Sequence, residues 1–440
     1  MFVFADKAGK RIEIHVLLLY FLDQFKSAGL ASPGQHFVAL TEKGSYLATL
    51  AGQYKFRKAF FEPGIHGRFS GLIHFSLFLT GVFRVDKADV MNDVLAMVEA
   101  CGPKSNAASN PALTLAAFLV AGESQGFNRL VILSDQDLDY FGYRIAQLAG
   151  VSTSEDGRGL IGIFGQSSYD LEILQRKCLV VLLAKKGDIQ GQTNLSVQLR
   201  EMRIPFVQTE LQSATYHPAE IFKWEIATAL ACVPLAPNPF HDGDFGGSMA
   251  IPRERLENMT GDRDSLRPVP RVKENGATLF VEGETRRMVS TLSVRDALRT
   301  FLEQRNLDGY IAILPFFKPV PDGDILRSVR DQLRSRLRTP VQVSTGPRYL
   351  PVLGPAYKNG PANGMFIILT ATPEEDLKIR GADYTFGQLQ LALAETEFET
   401  LGNACKLVIR LHFSQGPEKG LLQFRELVIQ TLQSLRGISG

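Results

Sequence analysis

Short, continuous apolar runs that alternate with helical patterns constrain this chain more than any other feature. LVILSD (130–135), GLIGIFG (159–165) and KCLVVLLA (177–184) have no polar side to turn to water. They imply a parallel sheet covered by helices on both faces. The alternation begins with MFVF (1–4) and a helix whose apolar positions Ile14, Leu17, Leu18, Phe21, Leu22 and Phe25 form one stripe of a 3.6-residue period. HFVALTE (36–42), a short helix and KAFFEPG (58–64) continue it, and the greasy stretch from Leu72 to Phe83 reads as a buried helix. Further strands are expected at YIAILPF (310–316), VQVST (341–345), MFIILTA (365–371) and KLVIRLHF (406–413), with a closing helix from about Lys419 to Leu435.

The fold class is therefore α/β: doubly wound parallel sheets in three-layer αβα sandwiches plus a C-terminal α/β region. Residues 1–120 are expected to form a truncated first lobe and 121–240 a second. Residues 241–285 are read as a connector, rich in Gly, Pro and charge up to about Asn275, and 286–440 as the C-terminal domain. A doubly wound sheet rarely opens with a strand at its first residue, so an earlier βα unit is expected to be missing.

At 440 residues, 45% of them hydrophobic, the chain can bury several sizeable cores. Its 48 basic and 46 acidic residues are dispersed and sum to +2, which gives no pull toward nucleic acid or an anionic membrane. The longest apolar run near the start, Val16 to Leu22, is too short to span a bilayer and lacks a basic leader. Cys101, Cys178, Cys232 and Cys405 are widely spaced, with no CxxC pair, as expected of reduced thiols in a cytoplasmic protein. His241, Asp242 and Asp244 cluster in the connector without metal-ligand spacing, and neither metal nor cofactor is expected.

Several motifs point to one family. Asp6-Lys7-Ala8-Gly9-Lys10-Arg11-Ile12-Glu13, between the first strand and its helix, resembles the S-K-S-G-T-T-L-E phosphate loop of the phosphoglucose isomerases, members of the sugar isomerase (SIS) fold group. Gly67-Arg68-Phe69-Ser70 resembles their G-G-R-Y-S signature, with His66 in place of the first glycine. Asn110-Pro111-Ala112-Leu113 resembles the start of the second SIS lobe. Ala219 to Glu225, Asn238-Pro239-Phe240, Gly346 to Leu350, Lys358 to Pro361 and Asn363-Gly364 resemble segments of the transaldolase/glucose-6-phosphate isomerase fusion subgroup, in that subgroup's order. The resemblance implies SIS-type sandwiches and a sugar-phosphate ligand. It assigns phosphate binding to Lys7, Gly9, Lys10 and Arg11, through backbone amides at a helix N-terminus. It assigns Arg68 to steadying the enediolate as charge develops.

Aldose–ketose isomerisation needs a carboxylate to move a proton between C2 and C1, and a separate acid/base pair to open the ring. Two registers offer the glutamate position, one placing Val151 there and the other Gln166, in the Gly165-Gln166-Ser167 turn. Neither side chain accepts a proton at neutral pH. Glu155 and Asp156 stand near as substitutes. The lysine position holds Met249 and the histidine position Tyr357, with Lys358 beside it. His74 reads as a core residue and His217 as a helix entry. Each lost acid or base removes ~10²–10⁴ in rate. Three functions remain open: a sugar-phosphate binder without catalysis, an isomerase completed by a transaldolase-bearing partner, and a scaffold built on the old fold. The short first lobe implies a homo-oligomer or a partner chain covering it.

Overall fold

The computed structural model describes all residues except 10, 31, 63, 66, 73–77, 79–80, 82–86, 167–168, 186, 188, 212–216, 236–237, 241–268, 291–292, 318–323 and 436–440. The readings at Lys10, His66, His74, His241, Asp242, Asp244 and Met249, and most of Leu72–Phe83, lie outside the described residues. The chain divides into two compact units.

The first unit comprises Met1–Ala112, Pro218–Ile226 and Leu377–Phe386. It runs β1 (Phe2–Ala5), α1 (Ile12–Ser27), β2 (Phe37–Thr41), α2 (Tyr46–Gln53), β3 (Arg57–Phe60) and α3 (Lys87–Ala100). The three strands form a parallel sheet in the order β1-β2-β3. Every residue of β2 is buried, so both faces of the central strand are covered. One face is aromatic: Phe2, Phe4, Phe37 and Phe56 from the strand side meet Phe21 and Phe25 of α1, joined by Leu18 and Leu22. This is the stripe that the helical period placed on one side of α1, except for Leu17, which is 39% exposed.

The second unit comprises Leu113–His217, Ala227–Asp376 and Gly387–Gly440 and holds two sheets. Its first half contains most of α4 (Pro111–Ser124), then β4 (Arg129–Ser134), α5 (Asp139–Thr153), β5 (Ile161–Gln166), α6 (Leu171–Leu174), β6 (Cys178–Lys185), α7 (Ile189–Glu201), β7 (Phe206–Leu211) and the end of α8 (Pro218–Leu235), whose residues 218–226 belong to the first unit. The sheet is parallel in the order β5-β4-β6-β7, doubly wound about β4. β7 carries only the alternating edge pattern FVQTEL, which the search for continuous apolar runs passes over.

The second half adds β8 (Val272–Glu274), β9 (Ala277–Glu282), α9 (Thr285–Met288), α10 (Val294–Glu303), β10 (Tyr310–Phe316), α11 (Asp324–Leu337), β11 (Val341–Val343), α12 (Gly354–Asn359), β12 (Gly364–Ala371), α13 (Phe386–Asn403), β13 (Leu407–Phe413) and α14 (Pro417–Ser434). The sheet order is β11-β10-β12-β13-β9-β8. Its four central parallel strands carry an antiparallel hairpin at one edge. That hairpin falls inside the stretch read as a connector. Its signal is local: Asn275 and Gly276 take φ of 50° and 80°, the paired left-handed turn of a two-residue hairpin loop. One apolar core, drawn only from residues between Val272 and Leu435, fills this layer.

The two sheets of this unit meet edge to edge through polar bonds. The Phe164 amide of β5 donates to Gln342 Oε1 of β11 (2.9 Å), and Gly157 N–H to the Asn359 carbonyl (2.8 Å). Arg129, fully buried at the start of β4, donates through Nη1 to the carbonyls of Leu307 (3.2 Å) and Gly309 (3.1 Å). Among the described residues no helix is long and apolar enough to cross a membrane.

Candidate functional site

The loop after β1 forms a backbone cradle. Gly9 adopts φ 66°, and a Cβ there would stand 2.9 Å from Ser45 Cβ, so only glycine fits the turn against α2. The cradle is closed from within. Asp6, 5% exposed, accepts the amides of Gly9 (3.1 Å) and Arg11 (2.9 Å) on its two carboxylate oxygens. The carboxylate thus takes the donors that an outside anion would use. The Thr41 hydroxyl donates to the Asp6 carbonyl (2.5 Å), and Lys7 pairs with Glu42 at 3.5 Å. Of the expected phosphate ligands, Gly9 and Arg11 therefore bind Asp6, and Lys7 is drawn toward Glu42.

Arg68 lies in a single 3-10 turn, Gly67–Phe69, and is buried. The Ser70 hydroxyl closes that turn on the Gly67 carbonyl (2.5 Å). Gly71 then donates its amide to Glu225 Oε1 of α8 (2.8 Å), where any side chain at 71 would strike Ile221. Two segments singled out in the sequence, 67–70 and 219–225, are brought together here within one unit. Lys223 pairs with Glu220 at 2.6 Å on the same helix.

In the second unit Gln166, Glu155 and Lys358 each bind a different partner. Gln166 is fully buried at the carboxyl end of β5, and its Oε1 accepts from Arg334 of α11 (2.5 Å). Glu155 is exposed in a turn closed by backbone bonds with Arg158. Lys358 Nζ binds Glu397 Oε2 at 2.8 Å, with side chains only 9% and 1% exposed. Tyr357 is wholly buried and packs on Tyr310, Tyr349 and Phe366. Burial pushes its phenol well above the ordinary range, so it stays protonated. Val151 is buried in α5.

Two groups here were not legible in the sequence, and a third, His217, was read only as a helix entry. Asp139, first residue of α5, accepts from the Ser134 hydroxyl (2.9 Å) and lies beside the carboxyl end of β5. Burial raises its carboxyl pKa, while the Ser134 bond and the charges of Arg330 and Arg327 oppose the rise. Glu397 is the buried counter-ion of Lys358. His217 sits 6% exposed against Tyr140 and Phe141. None belongs to a short motif, so only the fold reveals them.

Burial lowers the pKa of His217 from 6.5 to about 4, and that of His412 likewise, the latter helped by the Arg410 charge. Both prefer the neutral ring in the folded state, so their contribution is complete above pH 6.5 and is lost as pH falls toward 4. Each is expected to cost up to roughly 3 kcal/mol over that interval. Urea midpoints at pH 7.5, 5.5 and 4.5 measure the loss; His217→Gln is expected to flatten about half of it, and an unchanged slope refutes the assignment.

No protein-family model matches the chain, and no curated protein matches it. Among solved structures, a glucose-6-phosphate isomerase from Chlamydia trachomatis aligns over 60% of this chain and 60% of its own, at 16% identity and TM-score 0.46. A hypothetical protein from Thermus thermophilus aligns over 83% and 92%, at 15% identity and TM-score 0.27. The C-terminal domain of a glucosamine-fructose-6-phosphate aminotransferase from Francisella tularensis aligns over 78% and 94%, at 10% identity and TM-score 0.21. The chain spans 60% of the length of the isomerase. These overlaps are loose and carry no chemistry to this chain.

Proposed function

We propose that this chain is a sugar-phosphate-binding relative of the phosphoglucose isomerases, built on SIS-type lobes, that does not isomerise its ligand. One observation carries the loss of chemistry: the side chain at one candidate glutamate position, and the lysine beside the candidate histidine position, are both committed to other partners. Gln166 is an amide held by Arg334, and Lys358 is locked to Glu397. A base and an acid absent together remove ~10⁴-fold or more in rate. The motifs of the resemblance support the ligand class, with Arg68 kept in its turn and Gly71 beyond it bonded to α8. The cysteines, all free thiols, fit a reducing, cytoplasmic setting.

Titration calorimetry with fructose 6-phosphate and 6-phosphogluconate tests binding, and a dehydrogenase-coupled assay tests turnover. Heat with no turnover is expected. Turnover above background, alone or with a transaldolase-bearing partner chain, refutes the reading, as does the absence of heat and thermal shift at millimolar ligand.

The Asp6 carboxylate is expected to keep phosphate out of the first loop. Asp6→Ser frees two amides, and charge-assisted bonds of this kind are individually worth ~1.5–3 kcal/mol. The variant is expected to gain a phosphate site absent from the wild type, read as added stoichiometry in the titration.

A scaffold role is the second reading. Met91, Leu95 and Val98 form one stripe on α3 and are 43%, 55% and 39% exposed, a surface suited to a partner helix. A clean monomer by native mass spectrometry, with nothing bound, counts against it.

A further inference from the structure

With the first cradle occupied by Asp6, the sugar phosphate needs another seat, and one cluster in the second unit has the chemistry for it. We propose that the ligand sits over the carboxyl edge of the β5-β4-β6-β7 sheet, its phosphoryl group held by Arg327 and Arg330 of α11 and its hydroxyls by Asp139 and Ser134. This rests on the sugar-phosphate reading above.

The place follows from topology. β4 is followed by β5 on one side and then by β6 on the other, and in doubly wound sheets ligands lie outside the carboxyl ends where the winding reverses. Ser134 ends β4 at that point, and Asp139 opens the next helix.

The groups come from both halves of the unit. Arg327, Arg330 and Arg334 are spaced by three and four residues, so they share one face of α11. Arg330 donates through Nη1 to the Gly165 carbonyl (2.7 Å) and through Nε to Asp331 Oδ1 (2.9 Å), and Arg334 bonds both Gln166 and Asp331, which fixes this face at the end of β5. Arg327 lies one turn nearer the helix start, is exposed, and acts electrostatically on Asp139 together with Arg330. Asp139 Oδ1 is engaged by Ser134. Its Oδ2 lies 3.8 Å from where a Cβ on Gly165 would stand, which places the carboxylate beside the end of β5.

Guanidinium groups grip phosphoryl oxygens in a fork, while a carboxylate beside a hydroxyl suits neighbouring sugar hydroxyls. The ring of Tyr140, next to Asp139 and 42% exposed, offers a face for the C–H side of a sugar. An inorganic anion uses only the arginines; a sugar phosphate uses the whole set.

The full chain is titrated with fructose 6-phosphate and with inorganic phosphate. Arg327→Ala removes an exposed side chain and is expected to weaken both ligands by about tenfold or more, with Arg327→Lys restoring part of the loss. Asp139→Asn is expected to weaken fructose 6-phosphate while leaving inorganic phosphate within about threefold. If Arg327→Ala binds fructose 6-phosphate as the wild type does, this inference falls and the sugar-phosphate reading stands. If the wild type binds no sugar phosphate, both fall.

Discussion

Lys358→Ala is expected to lower the free energy of unfolding by about 3–5 kcal/mol, the range for breaking one side of a buried ion pair. The ammonium and the Glu397 carboxylate are 2.8 Å apart and nearly sealed from solvent. Truncation leaves the carboxylate inside, beside the phenol of Tyr349, whose own ionisation that charge and burial already oppose. The cost comes from the stranded charge rather than from a large net value of the pair. Lys358→Met with Glu397→Leu, which removes both charges and keeps the volume, is therefore expected to unfold within about 1–2 kcal/mol of the wild type. Urea titrations of the single and double variants separate the cases. A neutral single variant refutes the burial of the pair.

Arg410→Ala is expected to cost a similar ~3–5 kcal/mol. This arginine lies on β13, 2% exposed, with Nη2 at 3.0 Å from Glu395 Oε1 and Nη1 at 3.3 Å from the Thr370 hydroxyl. Its guanidinium plane lies 3.9 Å from the centre of the Phe280 ring and 5.8 Å from that of Phe398. A desolvated contact of that kind adds ~2 kcal/mol on its own. Arg410→Lys keeps the charge but cannot lie flat on Phe280 while also forking toward Glu395 and Thr370. It is expected to retain less than half of the lost stability. Urea midpoints with an unchanged slope would show that the loss belongs to the folded state; full retention by lysine would show that charge alone matters.

The strands that were plain in the sequence are those whose two faces are buried. YIAILPF is β10 residue for residue, and MFIILTA and KLVIRLHF fall within a residue of β12 and β13. Their signal is one of composition and needs no knowledge of neighbours. β7 and the β8–β9 hairpin lie at sheet edges, where alternation replaces continuity, and the hairpin's one local cue is its Asn275-Gly276 turn. At the candidate site, that Gln166 is an amide unable to accept a proton could be read from the letters. Its capture by Arg334 could not, because 168 residues separate the two. The same distance problem hid Glu397 behind Lys358 and Asp139 behind Gly165. Asp6 is the instructive middle case. Its place in the loop was visible, but whether it repels an incoming anion or replaces it depends on which way the carboxylate turns.

The joint between the two sheets of the second unit has a consequence for how such a body moves. Oily surfaces slide over one another at small cost, whereas donor–acceptor pairs lose most of their strength within a fraction of an ångström of misalignment. A contact stitched by Gln342, Arg129, Arg330 and Arg334 is thus latched or released, with little between. Two of those stitches, from Arg330 and Arg334, come from the one helix α11.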